Sequence, residues 1–225
     1  MEESDKKKGE TSLGKQVGEL YLSRFGSHLT LCFDPENGGL FPVGLGPKHQ
    51  PVGLYFAVEA GNIRSVLPLA GKGMVGDKDR FPGKIDVARI MNRIELRDDG
   101  GFLKGLETGW EFISPFYPQD IRTSCAPFYY VNCHVGNTGD KPLKVKIFGG
   151  VEASGSVRYD ADKGALIREF DVEAVYPQWG AEEARTFKCQ LALAVEGSVR
   201  EKVPGPAGDW ECLGVELPLE PGQER

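Results

Sequence analysis

Pro127-Phe128-Tyr129-Tyr130-Val131-Asn132-Cys133-His134-Val135, then Gly136-Asn137-Thr138-Gly139-Asp140-Lys141-Pro142, then Leu143-Lys144-Val145-Lys146-Ile147 is the stretch that decides the fold class. In the first run Tyr129, Val131, Cys133 and Val135 fall on one side, and Phe128, Tyr130, Asn132 and His134 on the other. In the last run Leu143, Val145 and Ile147 alternate with Lys144 and Lys146. Successive strand side chains point to opposite faces, so a period of two with one apolar side predicts strands packed on one face. The glycines, asparagine and aspartate between the runs predict a seven-residue turn, and the whole reads as a hairpin. Ser114-Pro115-Phe116-Tyr117-Pro118, just upstream, reads as an apolar arch.

The same period recurs on both sides of this stretch. Leu29, Leu31 and Phe33 oppose Thr30 and Cys32, and Leu54, Phe56 and Val58 oppose Tyr55 and Glu59. From Val87 to Arg97, Ile90, Ile94 and Leu96 share a face opposite Arg93, Glu95 and Arg97. Asp98-Asp99-Gly100-Gly101 then signals a turn. Leu166, Phe170, Val172 and Ala174 alternate with Glu169, Asp171 and Glu173, and Phe187, Cys189, Leu191, Leu193 and Val195 with Lys188, Gln190 and Glu196. No long run has a helical period, and Ala181 to Arg185 offers one turn at most. The pattern predicts an all-β fold with few or no helices: a large antiparallel two-sheet sandwich.

The chain of 225 residues is long enough for a sizeable core. Its formal charge of −6 argues against a nucleic-acid surface, which needs a concentrated basic face. Lys6-Lys7-Lys8 sits in a polar stretch, so residues 1–16 read as a flexible tail and 17–225 as a single sandwich domain, either whole or cut at its carboxyl end. No apolar run reaches the roughly 18 residues of a membrane span, and no secretory leader is visible. The odd set Cys32, Cys125, Cys133, Cys189 and Cys212 has no CxxC spacing and reads as reduced core thiols. Together these features predict a cytoplasmic protein.

Candidate chemistry is sparse. Gly71-Lys72-Gly73-Met74-Val75-Gly76 fits GxGxxG, but a loop containing Pro82 follows where a helix N-terminus would have to meet a pyrophosphate. His28, His49 and His134 lack metal-ligand spacing, and no GxSxG elbow is present. The reading therefore includes no cofactor, no metal and no catalytic residue. Glu59, Asp98, Asp99, Glu107, Glu111, Asp120 and Glu152 are candidates for the carboxylate pair that sugar hydrolysis requires, with nothing in the sequence to choose among them. Trp110 alternates with Phe112 and reads as core, whereas Trp179 and Trp210 read as loop residues. The face carrying Phe128, Tyr130 and His134 is too aromatic for plain solvent and meets a second layer, another domain or a ligand. With Tyr176 and Trp179, these are the residues expected to face a ligand or a domain.

Gly109-Trp110-Glu111-Phe112-Ile113-Ser114-Pro115-Phe116-Tyr117-Pro118, Ser124-Cys125-Ala126-Pro127-Phe128 and Val135-Gly136-Asn137-Thr138-Gly139-Asp140-Lys141-Pro142-Leu143-Lys144-Val145 together resemble one family domain. It is the amino-terminal β-sandwich of bile-acid β-glucosidase / non-lysosomal glucosylceramidase-type glycoside hydrolases. His49-Gln50-Pro51-Val52-Gly53 is similar to an early motif of two-domain β-xylosidases. The resemblance implies a mutarotase-like supersandwich that packs against a helical toroid holding both catalytic carboxylates. The partner implied is that helical domain, in cis or as a separate chain, with carbohydrate as the ligand class. Val215 to Gln223 resembles a segment leading into a further strand, which implies an open sheet edge here. A free-standing carbohydrate-binding or scaffold sandwich is the first alternative. A self-sufficient mutarotase-like sugar enzyme is the second.

Overall fold

The computed structural model describes residues 10–12, 20–23, 30–34, 39–43, 54–67, 79–80, 85–90, 92–98, 103–152, 156–174, 185–203 and 209–225. Among them the chain forms β1 (Glu10–Ser12), β2 (Leu20–Ser23), β3 (Thr30–Asp34), β4 (Gly39–Val43), β5 (Leu54–Ala60), β6 (Ile63–Val66), β7 (Asp79–Arg80) and β8 (Ile85–Ile90). It continues with β9 (Arg93–Asp98), β10 (Leu106–Ile113), α1 (Ile121–Cys125), β11 (Tyr130–Asn137), β12 (Leu143–Glu152) and β13 (Val157–Asp160). The last strands are β14 (Ala165–Ala174), β15 (Arg185–Ala194), β16 (Val199–Val203) and β17 (Trp210–Leu219).

The fold is an all-β sandwich. A five-stranded sheet runs β1-β8-β9-β10-β11 and a six-stranded sheet β16-β17-β12-β5-β6-β7, with two three-stranded sheets, β13-β14-β15 and β2-β3-β4. Pairing is antiparallel except between β6 and β7. Glu10–Ser12, within the stretch read as a tail, pairs with β8.

Alternation explains which side chains enter the core. Leu54, Phe56 and Val58 of β5, Val145 and Val151 of β12, and Leu213 and Leu219 of β17 form the inner side of the six-stranded sheet. Ile94 and Leu96 of β9, Trp110 and Phe112 of β10, and Val135 of β11 face them from the five-stranded sheet. The Phe56 ring meets Trp110 and Phe112 edge-on, with centroids 5.5 Å away in both cases. Such tilted contacts suit the aromatic quadrupole and add to the gain from burying each ring, about 1.5–3 kcal/mol. A Cβ added at Gly149 would meet Leu193, Val195 and Phe56, so the β13-β14-β15 sheet packs on the same inner side. Tyr129 donates its hydroxyl to the Leu22 carbonyl at 2.7 Å, which ties the start of β11 to β2.

Three further sequence expectations need correction. The seven-residue turn does not close a hairpin: β11 pairs with β10, whereas β12 pairs with β17 and β5. Asn137 explains the change of sheet. Its side-chain amide donates to the Lys141 and Leu219 carbonyls at 2.9 and 3.0 Å, and its Oδ1 accepts from the Gly139 N–H. These bonds draw the chain toward β17, and the free side of β11 is taken by backbone bonds from Val135 and Asn137 to Arg225, Gln223 and Gly222. Residues 222–225 thus lie along β11 over residues 135–137, with Gly136 opposite Glu224. The run from Val87 to Arg97 is two strands, not one, because Ile90 pairs back onto Arg93. Trp210 begins β17 and is buried against Tyr55, so it is a core residue rather than a loop one.

The edge strand β16 carries an ion-paired carboxylate beneath it. Glu211 is 5% exposed and holds Arg200 at 3.0 Å and Lys202 at 3.4 Å. Burial pushes its carboxyl up, but the bonds and charge of Arg200 and Lys202 outweigh that and hold it below the ordinary range. Charged side chains such as Arg200 and Lys202 on an edge strand also discourage pairing with another chain.

Candidate functional site

The candidate site lies on the outer side of the five-stranded sheet. Register places Glu95 and Arg97 of β9, Glu107, Gly109 and Glu111 of β10, and Asn132, His134 and Gly136 of β11 on that side. Their neighbours in sequence, Leu96, Trp110 and Val135, supply the core, so alternation alone presents the polar set.

Glu95 stands directly opposite Glu111, a destabilising like-charge pair unless a cation lies between them. Arg93 supplies it, with Nη2 3.1 Å from Glu95 and Nη1 3.1 Å from Glu111. Arg97 adds a 3.4 Å contact to Glu95, and the Asn132 amide donates to the other Glu111 oxygen at 2.9 Å. Both carboxylates are therefore charge-paired and held in place by their neighbours. Glu107 and His134 are exposed, and neither side chain has a partner among the described residues.

At the centre Gly109 faces His134 across the ladder. A Cβ there would lie 3.7 Å or more from the nearest atoms, those of Leu96, Arg97 and His134. Gly136 lies under Glu224, whose Cγ is 3.4 Å from where a Cβ would stand. These two glycines leave a groove of about 890 Å³, bounded by Arg97, Glu107, Glu111, His134 and the terminal pair Glu224-Arg225. That is within the size range of small-ligand sites.

The arch of residues 114–129 stands beside the start of β11. Ser124 is fully buried; its hydroxyl accepts from the Tyr117 N–H at 2.8 Å and contacts the Tyr117 carbonyl at 2.9 Å. Asp120 caps α1 through the Thr123 hydroxyl and N–H, and those bonds hold its carboxyl below the usual range. The arch is fixed in this way while displaying Phe116 (44% exposed), Tyr117 (43%) and Ile121 (69%). Tyr130, 50% exposed, stands next to it with its ring edge-on to Phe128 at 5.3 Å.

Of the residues expected to face a ligand or a domain, Tyr130 and His134 lie exposed on one side of β11, and Phe128 is half-buried beside them. Tyr176 and Trp179 lie outside the described residues, as do the glycine-rich segment at 71–76, His28 and His49. The carboxylates weighed from sequence disperse. Glu107, Glu111 and Asp98 border the groove, Asp120 is a helix cap, and Glu59 pairs with Arg64 at 2.7 Å on the six-stranded sheet. Asp99 lies outside the described residues. The glycine floor, the Arg93 bridge and the Glu224-Arg225 wall were not anticipated. Gly109, interrupting Leu106-Glu107-Thr108-Gly109-Trp110, is the one signal of them in the sequence.

Among the described residues no group of three or more His, Cys, Asp or Glu side chains could hold a metal ion. Cys125, Cys133, Cys189 and Cys212 are free thiols. Burial pushes Cys133 up, and burial together with Asp171 pushes Cys189 up, so neither is an activated thiolate. No described helix is long and apolar enough to cross a membrane. No protein-family model matches the chain, and no curated protein matches it either.

Proposed function

We propose that this chain is the non-catalytic β-sandwich domain of a glycoside hydrolase of the β-glucosidase/glucosylceramidase kind, packing against a helical domain that carries the acid and the base. The observation that carries this reading is the arch. A segment pinned by Ser124 and Asp120 that still displays Phe116, Tyr117 and Ile121 is built for a neighbour, because ordered apolar display costs solubility without one. The ion pairs of Glu95 and Glu111, each held by Arg93, support a structural role for these two carboxylates.

The test is direct. The purified chain should leave an aryl β-glucoside intact, and turnover by the chain alone would overturn the reading. A helical glucosidase domain supplied in trans should bind it. Ile121→Asp should abolish that binding without changing the melting temperature, since the side chain is exposed.

A further inference from the structure

We propose that the groove over Gly109 is itself a binding site for a neutral carbohydrate chain, with Tyr130, further along the same side of β11, as a platform beyond it. The inference rests on the carbohydrate reading above but assigns a site to this domain, separate from any site on a helical partner. Three observations select the ligand class.

The first is charge. Glu95 and Glu111 are engaged by Arg93, Arg97 and Asn132, so much of the groove's charge is spent internally. A strongly ionic ligand would have to break those pairs. The second is chemistry: the walls are planar carboxylate, guanidinium and imidazole groups, with the Glu107 and His134 side chains unpartnered among the described residues. Such groups offer acceptors and donors side by side, as vicinal hydroxyls require, beside an apolar share of the lining that suits the C–H faces of a sugar ring. The third is shape and direction. Tyr130, Asn132, His134 and Gly136 succeed one another on the outer side of β11 at about 6.8 Å per step. From Gly136 to Tyr130 the row is thus about 20 Å long, the scale of an oligosaccharide rather than a single ring. Its far end is an exposed aromatic face steadied by Phe128, suited to stacking on the apolar side of a sugar.

Gly109 provides a clean test, because a side chain there rises into the groove and not into the core. The intact chain would be titrated calorimetrically with neutral trimers of gluco, xylo, manno and galacto configuration, a glucosamine trimer and a galacturonate trimer. At least one neutral trimer should bind saturably, with the two charged trimers weaker. Gly109→Leu and Tyr130→Ala should each weaken that binding by about tenfold or more, with melting temperatures like that of the parent. Saturation by none of the neutral trimers, preference for a charged one, or undiminished binding by Gly109→Leu would each overturn the proposal. Should Gly109→Leu fail to fold, Gly109→Ala and Tyr130→Ala carry the same test. A chain that binds no trimer but still associates through Ile121 with a helical domain would sink this site and leave the domain reading standing.

Discussion

The outer sides of the two large sheets look alike in sequence and differ in structure. Both alternate charged residues with apolar ones. On the six-stranded sheet the outward row includes Tyr55, Ala57, Phe148 and Cys212, all buried. Arg64 lies 4.8 Å over the Phe148 ring and Lys146 5.1 Å from it, and their partners Glu59 and Glu201 complete a lid of ion pairs. Gly214 lets that lid lie flat, since a Cβ there would stand 2.7 Å from the Glu201 carboxylate. On the five-stranded sheet the ion pairs form beside a glycine instead of over an aromatic ring, and the centre stays open. The charged groups are of the same kinds on both sides. What stands beneath them decides whether they close a surface or line a groove.

The largest effect should come from removing what lies beneath the lid. Phe148→Ala should cost about 3–5 kcal/mol in urea unfolding, whereas His134→Ala on the open side should stay within about 0.5 kcal/mol. Equal losses at the two positions would break the contrast. Next comes Gly150→Ala, whose Cβ would stand 2.5 Å from the Cys212 sulfur and 2.9 Å from the Glu211 carbonyl. That overpacking should cost about 1–3 kcal/mol.

Glu211→Gln should cost about 1–2 kcal/mol at neutral pH, because a buried acceptor loses its charge-assisted bonds. Its folded carboxyl titrates below its unfolded value, so its contribution is complete above about pH 4.3 and fades as pH falls through the folded value. The gap between parent and Glu211→Gln should therefore close on acidification. A gap that persists in acid would refute the ion-pair account. Smallest is Gly109→Ala, where an open site and a β-strand backbone predict a gain of about 0.5–1 kcal/mol. A loss there would mean that the centre is not open after all.

The strands were legible because burial imposes a period of two on any one-sided sheet. Leu54, Phe56 and Val58, or Leu143 and Val145, announce it directly. The connections were less so. Ile90 and Ile94 share one parity in the sequence, although the register sets Ile90 opposite Arg93 and Arg89 opposite Ile94, and this hid the break between β8 and β9. Gly136 to Pro142 signals a change of direction, but which sheet edge receives the chain depends on the Asn137 amide reaching Leu219, a residue 82 positions away. The groove has the same origin. Glu95 and Glu111 are visible as wet-face residues, yet their opposition, and Arg93 between them, exists only once β9 and β10 are in register. Tyr130 and His134 stand out in sequence because aromatic residues are unusual on a wet face.

The capping of β11 by Gly222 to Arg225 sets where the molecule can be handled. Residues 10–12 pair at one edge of the five-stranded sheet and residues 222–225 at the other. Five strand spacings, about 24 Å, separate them. A peptide fused after Arg225 would begin at the rim of the groove, whereas one fused ahead of Glu10 would begin at the opposite edge. Dyes attached at these two edges would form a ruler across the sheet, with the groove beneath its carboxyl end.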